Sequence, residues 1–372
     1  MTEIIKFADL NYQIKDIKQK IIKTIYSSID KSAFIGGKNI AKFENNFKKI
    51  HNAKHCLGVA NGTDALEIAI ESLNLKKNSE VLVPVNTWIS TAEAVIRNNL
   101  KVKFVDIDSK TFLISLKDIE RKINKNTSAI IPVHLYGQAC DMDEIVKISK
   151  KHKLKIIEDC AQAHLAEYKS KKVGTFGDIS CFSFFPGKNL GAMGDAGAIL
   201  TNSQNFYKKC KMIANHGGLK KNSHLIIGRN SRLDNLQAGI LNIKLKKLKK
   251  WTQQRIENAK LYENLLKKNT NILLPIVKNK YTKHVYHLFV IKVKNRKNLI
   301  NYLNKNKVQT NIHYPKILSE VSAFRKLHKK NITINAKRNS KKILSLPIGE
   351  HLSKIHIEKI SNLINKFYNH SG

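Results

Sequence analysis

The stretch CFSFFPGKNLG (residues 181–191) continues a hydrophobic strand into a loop in which a single lysine, Lys188, lies between two glycines. Upstream, the stretch IIEDCAQAH (156–164) ends another hydrophobic strand and places a carboxylate, Asp159, directly after it. Glycine permits unusual backbone geometry and the close approach of a ligand. The apolar run 179–185 should be buried, so Lys188 is expected to emerge beside a core strand.

Strand and helix patterns alternate between residues of about 55 and 200. Such alternation is typical of a mostly parallel sheet with helices on both faces. Active sites in these sheets lie at the carboxyl ends of the strands, where Asp159 and Lys188 both fall. The predicted strands are 80–83, 102–105, 129–133 and 154–157, and the predicted helical segments include 65–73 and 142–148.

A long amphipathic stretch from about residue 232 to 268 is expected to link two domains. The pattern that follows it predicts a smaller α+β domain. Its expected elements are a polar loop, a strand, a helix and a terminal helix, at 278–283, 284–291, 299–303 and 352–367. We therefore divide the chain into a large domain, residues 1–250, and a small C-terminal domain, residues 251–372.

The net charge of +39 over 372 residues is the unusual feature of the composition. Such a charge raises the hypothesis of a nucleic-acid-binding regulator. Only 8 of the 67 basic residues are Arg, however, and nucleic-acid sites favour Arg. Compositional bias towards Lys, Asn and Ile explains the charge better, so we expect no nucleic-acid partner.

The remaining composition bounds the compartment. No run of 18 apolar residues indicates a membrane span, and the N-terminal segment has no apolar signal core. The five cysteines are scattered without a CxxC pair, which favours reduced thiols in the cytoplasm over disulfides or a metal site. We expect neither a metal nor a membrane partner.

Lys188 and Asp159 together indicate a pyridoxal phosphate site. The lysine would form a Schiff base with the cofactor, and the carboxylate would keep the pyridine nitrogen protonated. The alternatives are a solvated loop lysine and an aspartate that caps a helix. Gln162 lies close enough in sequence to contact the ring hydroxyl, and His164 is either a substrate contact or a structural histidine.

The stretch NGTDAL (61–66) opens a helix whose N-terminal N–H groups form a ready phosphate site. Gly62 and Thr63 lie there, and the Ser183 hydroxyl is expected to join them. An ordinary helix cap is the alternative. Trp88, in a polar loop after a strand, either stacks on a planar ring or fills the core.

Many motifs in order make the chain resemble the sugar-nucleotide aminotransferases of the DegT/DnrJ/EryC1/StrS family over nearly its full length. They are NGTDAL (61–66), NTWISTAEA (86–94), IIPVHLYGQACDMDEI (130–145), IEDCAQAH (157–164), GTFGDISCFSFFPGKNLGAMGDAGA (174–198), NHGG (215–218), IGRNSRLDNLQAGIL (227–241), HVYHLFVI (284–291) and IHYP (312–315).

The resemblance implies a pyridoxal phosphate-dependent transferase of fold type I, like aspartate aminotransferase. Such a fold has a large domain with a mostly parallel seven-stranded sheet, a small C-terminal α+β domain and a homodimer with shared active sites. It also implies roles for individual residues. Lys188 and Asp159 would be catalytic. The residues that would hold the cofactor are Gly62, Thr63, Trp88, Asp159, Gln162, Ser183, Lys188 and, from the partner subunit, Asn230. The candidates for contacts with the nucleotide sugar are His164, Lys221, Arg229, His313 and Tyr314.

Three positions depart from the family pattern and bear on substrate identity. Arg229 replaces an aromatic or small polar residue, Leu165 replaces the common glycine, and Asn222 stands where an aromatic residue is frequent. Arg229 either adds a phosphate or carboxylate contact or forms an interface salt bridge.

The resemblance further implies an activity: transfer of an amino group from L-glutamate, released as 2-oxoglutarate, to a keto-sugar nucleotide for surface polysaccharide or glycan. The loop SFFPGKNLGAMGDAGA is most similar to enzymes that aminate dTDP- or UDP-linked 3-keto sugars. A 4-keto sugar aminotransferase is the alternative. A sugar dehydratase of the same family is another, although those carry His in place of the lysine.

Overall fold

The computed structural model describes residues 4–220, 222–277, 281–325 and 333–369. Eight helices precede the long one: α1 (Leu10–Lys15), α2 (Lys18–Asp30), α3 (Lys38–His51), α4 (Gly62–Ser72), α5 (Ser90–Arg97), α6 (Leu116–Lys122), α7 (Met142–His152) and α8 (Gln204–Ala214). The others are α9 (Asn235–Leu266), α10 (Arg296–Lys305), α11 (Ser322–Arg325), α12 (Ile334–Ser340) and α13 (Lys354–Asn369).

The strands form three sheets. The large sheet contains β1 (His55–Val59), β2 (Glu80–Pro84), β3 (Lys101–Val105), β4 (Thr127–Ile130), β5 (Lys155–Asp159), β8 (Ile179–Ser183) and β9 (Gly197–Thr201). A short hairpin pairs β6 (Glu167–Tyr168) with β7 (Lys171–Lys172). The small sheet contains β10 (Ile272–Leu273), β11 (Phe289–Val293) and β12 (Ile343–Leu346).

The large sheet has seven strands in the order β1-β9-β8-β5-β4-β2-β3, and β9 alone runs antiparallel to its neighbours. Its strands are buried on both faces, which explains why they read as continuous apolar runs in the sequence. The four strands predicted from these runs are confirmed as β2 to β5. The mostly parallel α/β sheet is confirmed with them.

Strands β5 and β8 lie side by side and parallel, so their carboxyl ends meet at one edge. The apolar run 179–185 was expected to be buried throughout, and this is wrong at its end. The strand stops at Ser183, and the Phe185 side chain is 57% exposed, whereas Phe184 is buried. The chain turns at this point, so a strand pattern no longer describes which side chains face the core.

Helix α9 is 32 residues long and joins two hydrophobic cores. Leu241 and Leu248 pack in the core around the large sheet, whereas Ala259 and Tyr262 pack beside the small sheet. Ile5, near the N-terminus, also packs in this second core and forms a bridge with Val308. The division of the chain between residues 250 and 251 stays a prediction.

The strand predicted at 284–291 is placed differently by the structure. Strand β11 begins only at Phe289. Before it, the N–H of Val285 donates to the Gly137 carbonyl over 3.0 Å and that of Leu288 to the Tyr136 carbonyl over 3.2 Å. These bonds join the segment to a loop of the large sheet, where a strand ladder was expected. No helix in the described part of the chain is long and apolar enough to cross a membrane.

Candidate active site

Asp159, the last residue of β5, forms the base of the site. Its side chain is buried and accepts hydrogen bonds from the Thr91 hydroxyl over 2.9 Å and the Ala161 N–H over 3.1 Å. Burial raises the pKa of Asp159, and these two bonds and the positive charge of Lys188 oppose that rise. The carboxylate is thus held in a fixed orientation and faces the charge of the lysine.

Lys188 lies in the loop after β8, on the adjacent strand. Its side chain is half-buried, and burial lowers the pKa of Lys188 to about 8, with Asp159 opposing the shift. A lysine with such a pKa is partly neutral near physiological pH, the state in which an amine acts as a nucleophile or a base. The pKa of Asp159 shifts in the opposite direction, and titratable groups with perturbed pKa values are typical of functional sites.

The loop glycines differ in what they contribute. A Cβ on Gly191 would lie 2.2 Å from the Pro186 carbonyl oxygen, so this position requires glycine. A Cβ on Gly187 would come no closer than 3.7 Å to a neighbour. Neither glycine has a positive φ. Close approach within the loop, and not an unusual backbone angle, is the reason for Gly191.

The N-terminus of α4 faces the end of β8. A Cβ on Gly62 would lie 2.7 Å from the Ser183 Cβ and 3.2 Å from its hydroxyl oxygen. The cap residue Asn61 accepts from the Asp64 N–H over 2.8 Å. The first N–H groups of a helix have no intrahelical partner. Gly62 therefore lets the start of α4 pack directly against Ser183. The free backbone N–H groups and the Ser183 hydroxyl are thereby brought together as a small cradle, a set of donors that suits a phosphate.

The side chain of Thr63, a residue of the predicted phosphate site, is hydrogen-bonded within the chain. Its hydroxyl donates to the Ser90 hydroxyl over 2.7 Å and so joins the first turns of α4 and α5. Its backbone N–H lies in the first turn of α4 beside Gly62. Thr63 therefore offers the main chain to the cradle, while its side chain fixes the neighbouring helix.

Gln162 bridges three parts of the chain. Its carbonyl oxygen accepts from the Tyr136 N–H over 2.7 Å, and its amide nitrogen donates to the Tyr314 hydroxyl over 3.0 Å. The rings of Trp88 and Tyr314 lie 5.9 Å apart, and Trp88 is 59% exposed. Core filling therefore does not explain Trp88, and its exposed ring is suited to stacking on a planar cofactor.

His313 lies next to Tyr314 at the same side of the site. Its Nδ1 lies 2.8 Å from the Ser345 hydroxyl, and its carbonyl accepts from the Tyr136 hydroxyl. Burial, followed by the charge of Lys188, lowers the pKa of His313 to about 4. The imidazole is thus neutral. The small sheet, through Ser345, sets its orientation.

The structure places His164 in the core behind the site, near Lys188 and Ser183. Its ring is fully buried among Phe182 and Phe184, and burial, followed by the charge of Lys188, lowers its pKa to about 3. A neutral ring with no exposed surface supports a structural role. Of the two alternatives for His164, this placement favours the structural one, and the substrate contact stays a prediction.

Arg229 is engaged within the chain. Its guanidinium pairs with Glu67, and with Glu71 over 2.7 Å, both on α4. The structure thus shows an intramolecular salt bridge, and the contacts of Arg229 with a substrate or a partner subunit stay predictions. Asn230 is exposed and pairs through its backbone with Asn215. Lys221 lies outside the described residues.

The family departure at Leu165 has a structural consequence. Leu165 has a φ of 65°, in the left-handed region where glycine is favoured. Its side chain is buried in the large core. Packing of this side chain offsets the backbone strain.

Several residues of the site were not identified from the sequence. Thr91, which holds Asp159, lies in the quoted NTWISTAEA motif, and its own hydroxyl accepts from Thr87 over 3.1 Å. His287 places Nδ1 3.1 Å from the Asn189 amide oxygen, beside Lys188 in the loop. Burial and the charge of Lys188 keep the pKa of His287 well below its usual range. Both residues lie in quoted motifs, but their partners are remote in sequence.

The buried group His134, Glu158 and Cys160 has ligand atoms within 4.8 Å of one another. Glu158 already accepts from His134 and from the N–H groups of Gly174, Phe176 and Gly177. Burial raises the pKa of the Cys160 thiol well above its usual range. The group is a hydrogen-bonded support behind Asp159, and its donors do not favour a metal.

A lysine and a buried carboxylate at the carboxyl edge of a mostly parallel seven-stranded sheet, beside a small α+β part, define a pyridoxal phosphate-dependent transferase of fold type I. The chain belongs to the DegT/DnrJ/EryC1/StrS aminotransferase family, whose model matches residues 15–365. It is thus a pyridoxal phosphate-dependent aminotransferase of sugar nucleotides.

Individual relatives are similar to this chain over nearly its full length. The dTDP-3-amino-3,6-dideoxy-alpha-D-galactopyranose transaminase of Aneurinibacillus thermoaerophilus is 40% identical over 98% of this chain and 99% of its own. A Geobacillus stearothermophilus protein named pleiotropic regulatory protein is 37% identical over 97% of this chain and 98% of its own. The crystal structure of S. venezuelae DesV in complex with a ketimine intermediate is 32% identical, with a TM-score of 0.96 over 98% of this chain and 99% of that one.

Proposed function

We propose that this enzyme transfers the amino group of L-glutamate to a dTDP- or UDP-linked 3-keto sugar. The observation that carries the proposal is the placement of Asp159 at the end of β5 and of Lys188 in the loop after the adjacent strand β8, with pKa values shifted towards each other. A lysine at position 188 favours amino transfer over dehydration, since the dehydratases of the family carry histidine there.

The described residues fit pyridoxal phosphate. The cradle at Gly62 and Ser183 suits its phosphate, the exposed ring of Trp88 suits its face, and the buried carboxylate of Asp159 suits its pyridine nitrogen. Gln162 is joined to these residues by its hydrogen bond to the Tyr314 hydroxyl. When bound, the cofactor withdraws electrons from the carbon that carries the amino group. The alternative of a helix cap at Asn61 accounts for one bond but not for the cradle.

The chain itself supplies proton transfer and positioning. The Lys188 amine, partly neutral because burial lowers its pKa to about 8, is suited to take and return the proton of the reacting carbon. Asp159 is held by Thr91 and Ala161, so its charge stays aligned while Lys188 changes protonation. A positioned base of this kind contributes a factor on the order of 10² to 10⁴ in rate.

We propose that the enzyme acts as a homodimer with shared active sites. Large apolar side chains are exposed in or near the Lys188 loop and in the segment before Asn230, with Phe185 at 57% and Ile227 at 93% exposure. Exposed apolar groups that are clustered mark interaction surfaces. By family resemblance, Asn230 completes the phosphate cradle of the partner, and its exposed position is compatible with that role.

The keto position is proposed from the 40% identical transaminase, because its name contains a sugar with the amino group at carbon 3. His313 and Tyr314 are the described candidates for the nucleotide-sugar pocket, as they lie beside the site and are joined to Gln162 and Tyr136. Free, buried cysteines are compatible with a reducing cytoplasm. The product would feed amino-sugar, polysaccharide or glycan synthesis.

The proposal is tested by replacing Lys188 with Ala. The variant should lose the visible absorption band of protein-bound cofactor and should lose turnover, while retaining the fold by circular dichroism. Amino transfer at the wild-type rate would show that the assignment of Lys188 is wrong. Release of the donor's nitrogen as ammonia by the wild-type enzyme, with no amino group left on the sugar, would indicate a dehydratase.

The substrate is tested with purified wild-type enzyme, glutamate and a panel of 3-keto and 4-keto sugar nucleotides. Turnover of 3-keto substrates is expected, and turnover of 4-keto substrates alone would reverse the proposed regiochemistry. The charge of +39 and the regulatory name of one relative motivate a second measurement on the same protein. Tight, salt-sensitive DNA binding without cofactor binding would favour a regulator.

A further inference from the structure

A second lysine is buried next to the loop of Lys188. Lys244, on α9, is 1% exposed. Its ammonium donates to the Gly191 carbonyl over 2.7 Å and to the Gln13 side-chain oxygen over 3.0 Å. Burial lowers the pKa of Lys244 to about 8, and Glu350 opposes this shift. A buried ammonium is stable only where its hydrogen bonds are made, so these two contacts determine where Lys244 lies.

The Gly191 carbonyl, which accepts the Lys244 hydrogen bond, lies where the two ends of the Lys188 loop meet. The Ala192 N–H donates to the Phe184 carbonyl over 2.7 Å, which brings the two ends of the loop together. Gly191 packs against the Pro186 carbonyl so closely that a Cβ would lie 2.2 Å from it. The peptide that Lys244 contacts is therefore the one at which the loop returns on itself, three residues after Lys188.

Helix α9 holds the same segment at a second point. The Gln237 side chain accepts from the Met193 N–H over 2.9 Å and donates to the Met193 carbonyl over 3.3 Å. Residues seven apart on a helix lie two turns apart on one face. Lys244 and Gln237 thus fasten the chain after Lys188 to one rigid helix, and Gln13 of α1 holds Lys244 from the other side.

We propose that Lys244 is a positioning residue that fixes the Lys188 loop through the Gly191 carbonyl. The inference rests on the proposed function of Lys188. A base that is displaced by about 1 Å loses on the order of 10²-fold in rate even when the chemistry is intact. Loss of the Lys244 contact should therefore affect the reaction more than the binding of the sugar nucleotide.

The test compares Lys244→Met with Leu248→Ala in the cofactor-loaded enzyme. Leu248 is buried on the same helix in the large core, so its truncation lowers stability without removing a hydrogen bond to the loop. For Lys244→Met we expect kcat to fall by about 10- to 100-fold with little change in KM. The pH midpoint of the visible cofactor band should also shift, and the cofactor-free protein should take up the cofactor more slowly.

Leu248→Ala should keep the wild-type band titration and uptake rate despite a lower melting temperature. If Lys244→Met does not fold, Gln237→Leu removes the second fastening at a half-buried position and should shift the same readouts in the same direction. Wild-type kcat and titration in the folded variant would overturn the proposal. So would equal shifts in Leu248→Ala. The failure of Lys188→Ala to lose the band would instead contradict the function of Lys188 itself.

Discussion

The edge of the large sheet and the surface around Ile227 and Asn230 are built in opposite ways. At the edge, Asp159 is buried and is oriented by Thr91 and the Ala161 N–H. On the surface, Ile227 is 93% exposed and Asn230 is exposed as well. We propose that a second chain covers this surface, so the two regions would serve different parts of the function. Acid–base chemistry and cofactor retention should respond separately to mutation.

The largest effect is expected at the sheet edge, from Asp159→Asn. The amide keeps the shape of the side chain but removes the charge that would stabilise a protonated pyridine nitrogen. Loss of one aligned electrostatic partner costs on the order of 10²- to 10³-fold in kcat. Single-turnover kinetics with glutamate measure this effect. Unchanged kinetics would exclude Asp159 from the chemistry.

Ile227→Asp should disrupt the proposed contact between the two subunits. A charge in a covered apolar contact opposes association, so we expect the dimer dissociation constant to rise by at least about 10-fold. Analytical ultracentrifugation reports the oligomeric state, and equilibrium dialysis reports cofactor affinity. Asn230→Ala is the matched variant: it should weaken cofactor binding and leave the dimer intact. A wild-type protein that is monomeric at all concentrations would contradict the proposed assembly.

The protonation of Lys188 gives a pH prediction. Burial lowers the pKa of Lys188 to about 8, so the fraction of neutral amine increases as pH rises towards 8. The rate at which cofactor-free enzyme forms its visible band should increase by about tenfold per pH unit below 8 and level off above it. Asp159→Asn removes the opposing charge and should move the curve to lower pH. A midpoint near 10.5, the ordinary value for lysine, would contradict the prediction.

The smallest effect is expected from Arg229→Ala, a residue of the surface segment whose side chain pairs with α4. Its partners Glu67 and Glu71 lie on α4, so the variant should lose about 0.5–1 kcal/mol of unfolding free energy. The KM for the sugar nucleotide should not change. Urea denaturation and steady-state kinetics check the two parts. A raised KM with unchanged stability would restore the expectation of a substrate contact.

The sequence predicted the parts of the fold that depend on local patterns. Strands β2 to β5 follow from apolar runs because their residues are buried on both faces. It failed where contacts between remote segments decide the structure. Residues 284–288 carry a strand-like pattern, yet Val285 and Leu288 bond to Gly137 and Tyr136 instead. Phe185 continues an apolar run but lies in a turn and is exposed.

The same division holds for the site. Lys188 and Asp159 were predicted from strand ends and residue chemistry, because adjacent parallel strands bring their carboxyl ends together. The residues that support them were not identified. Thr91 is 68 residues from Asp159 in sequence, and Lys244 is 53 residues from Gly191. No local pattern encodes such pairs.

By itself, the sequence of this protein indicated the class of sheet through its periodicity, which is a local property. Together with the family resemblance of its motifs it also indicated the cofactor, and it predicted Lys188 and Asp159 as the reacting groups. Only the tertiary structure decided which candidates face the site. It buried His164 among aromatic rings, paired Arg229 with α4 and exposed Trp88. It also placed an ammonium against the Gly191 carbonyl. Burial and hydrogen-bond partners depend on the packing of distant segments, and that packing sets the pKa of Lys188 on which the proposed chemistry depends.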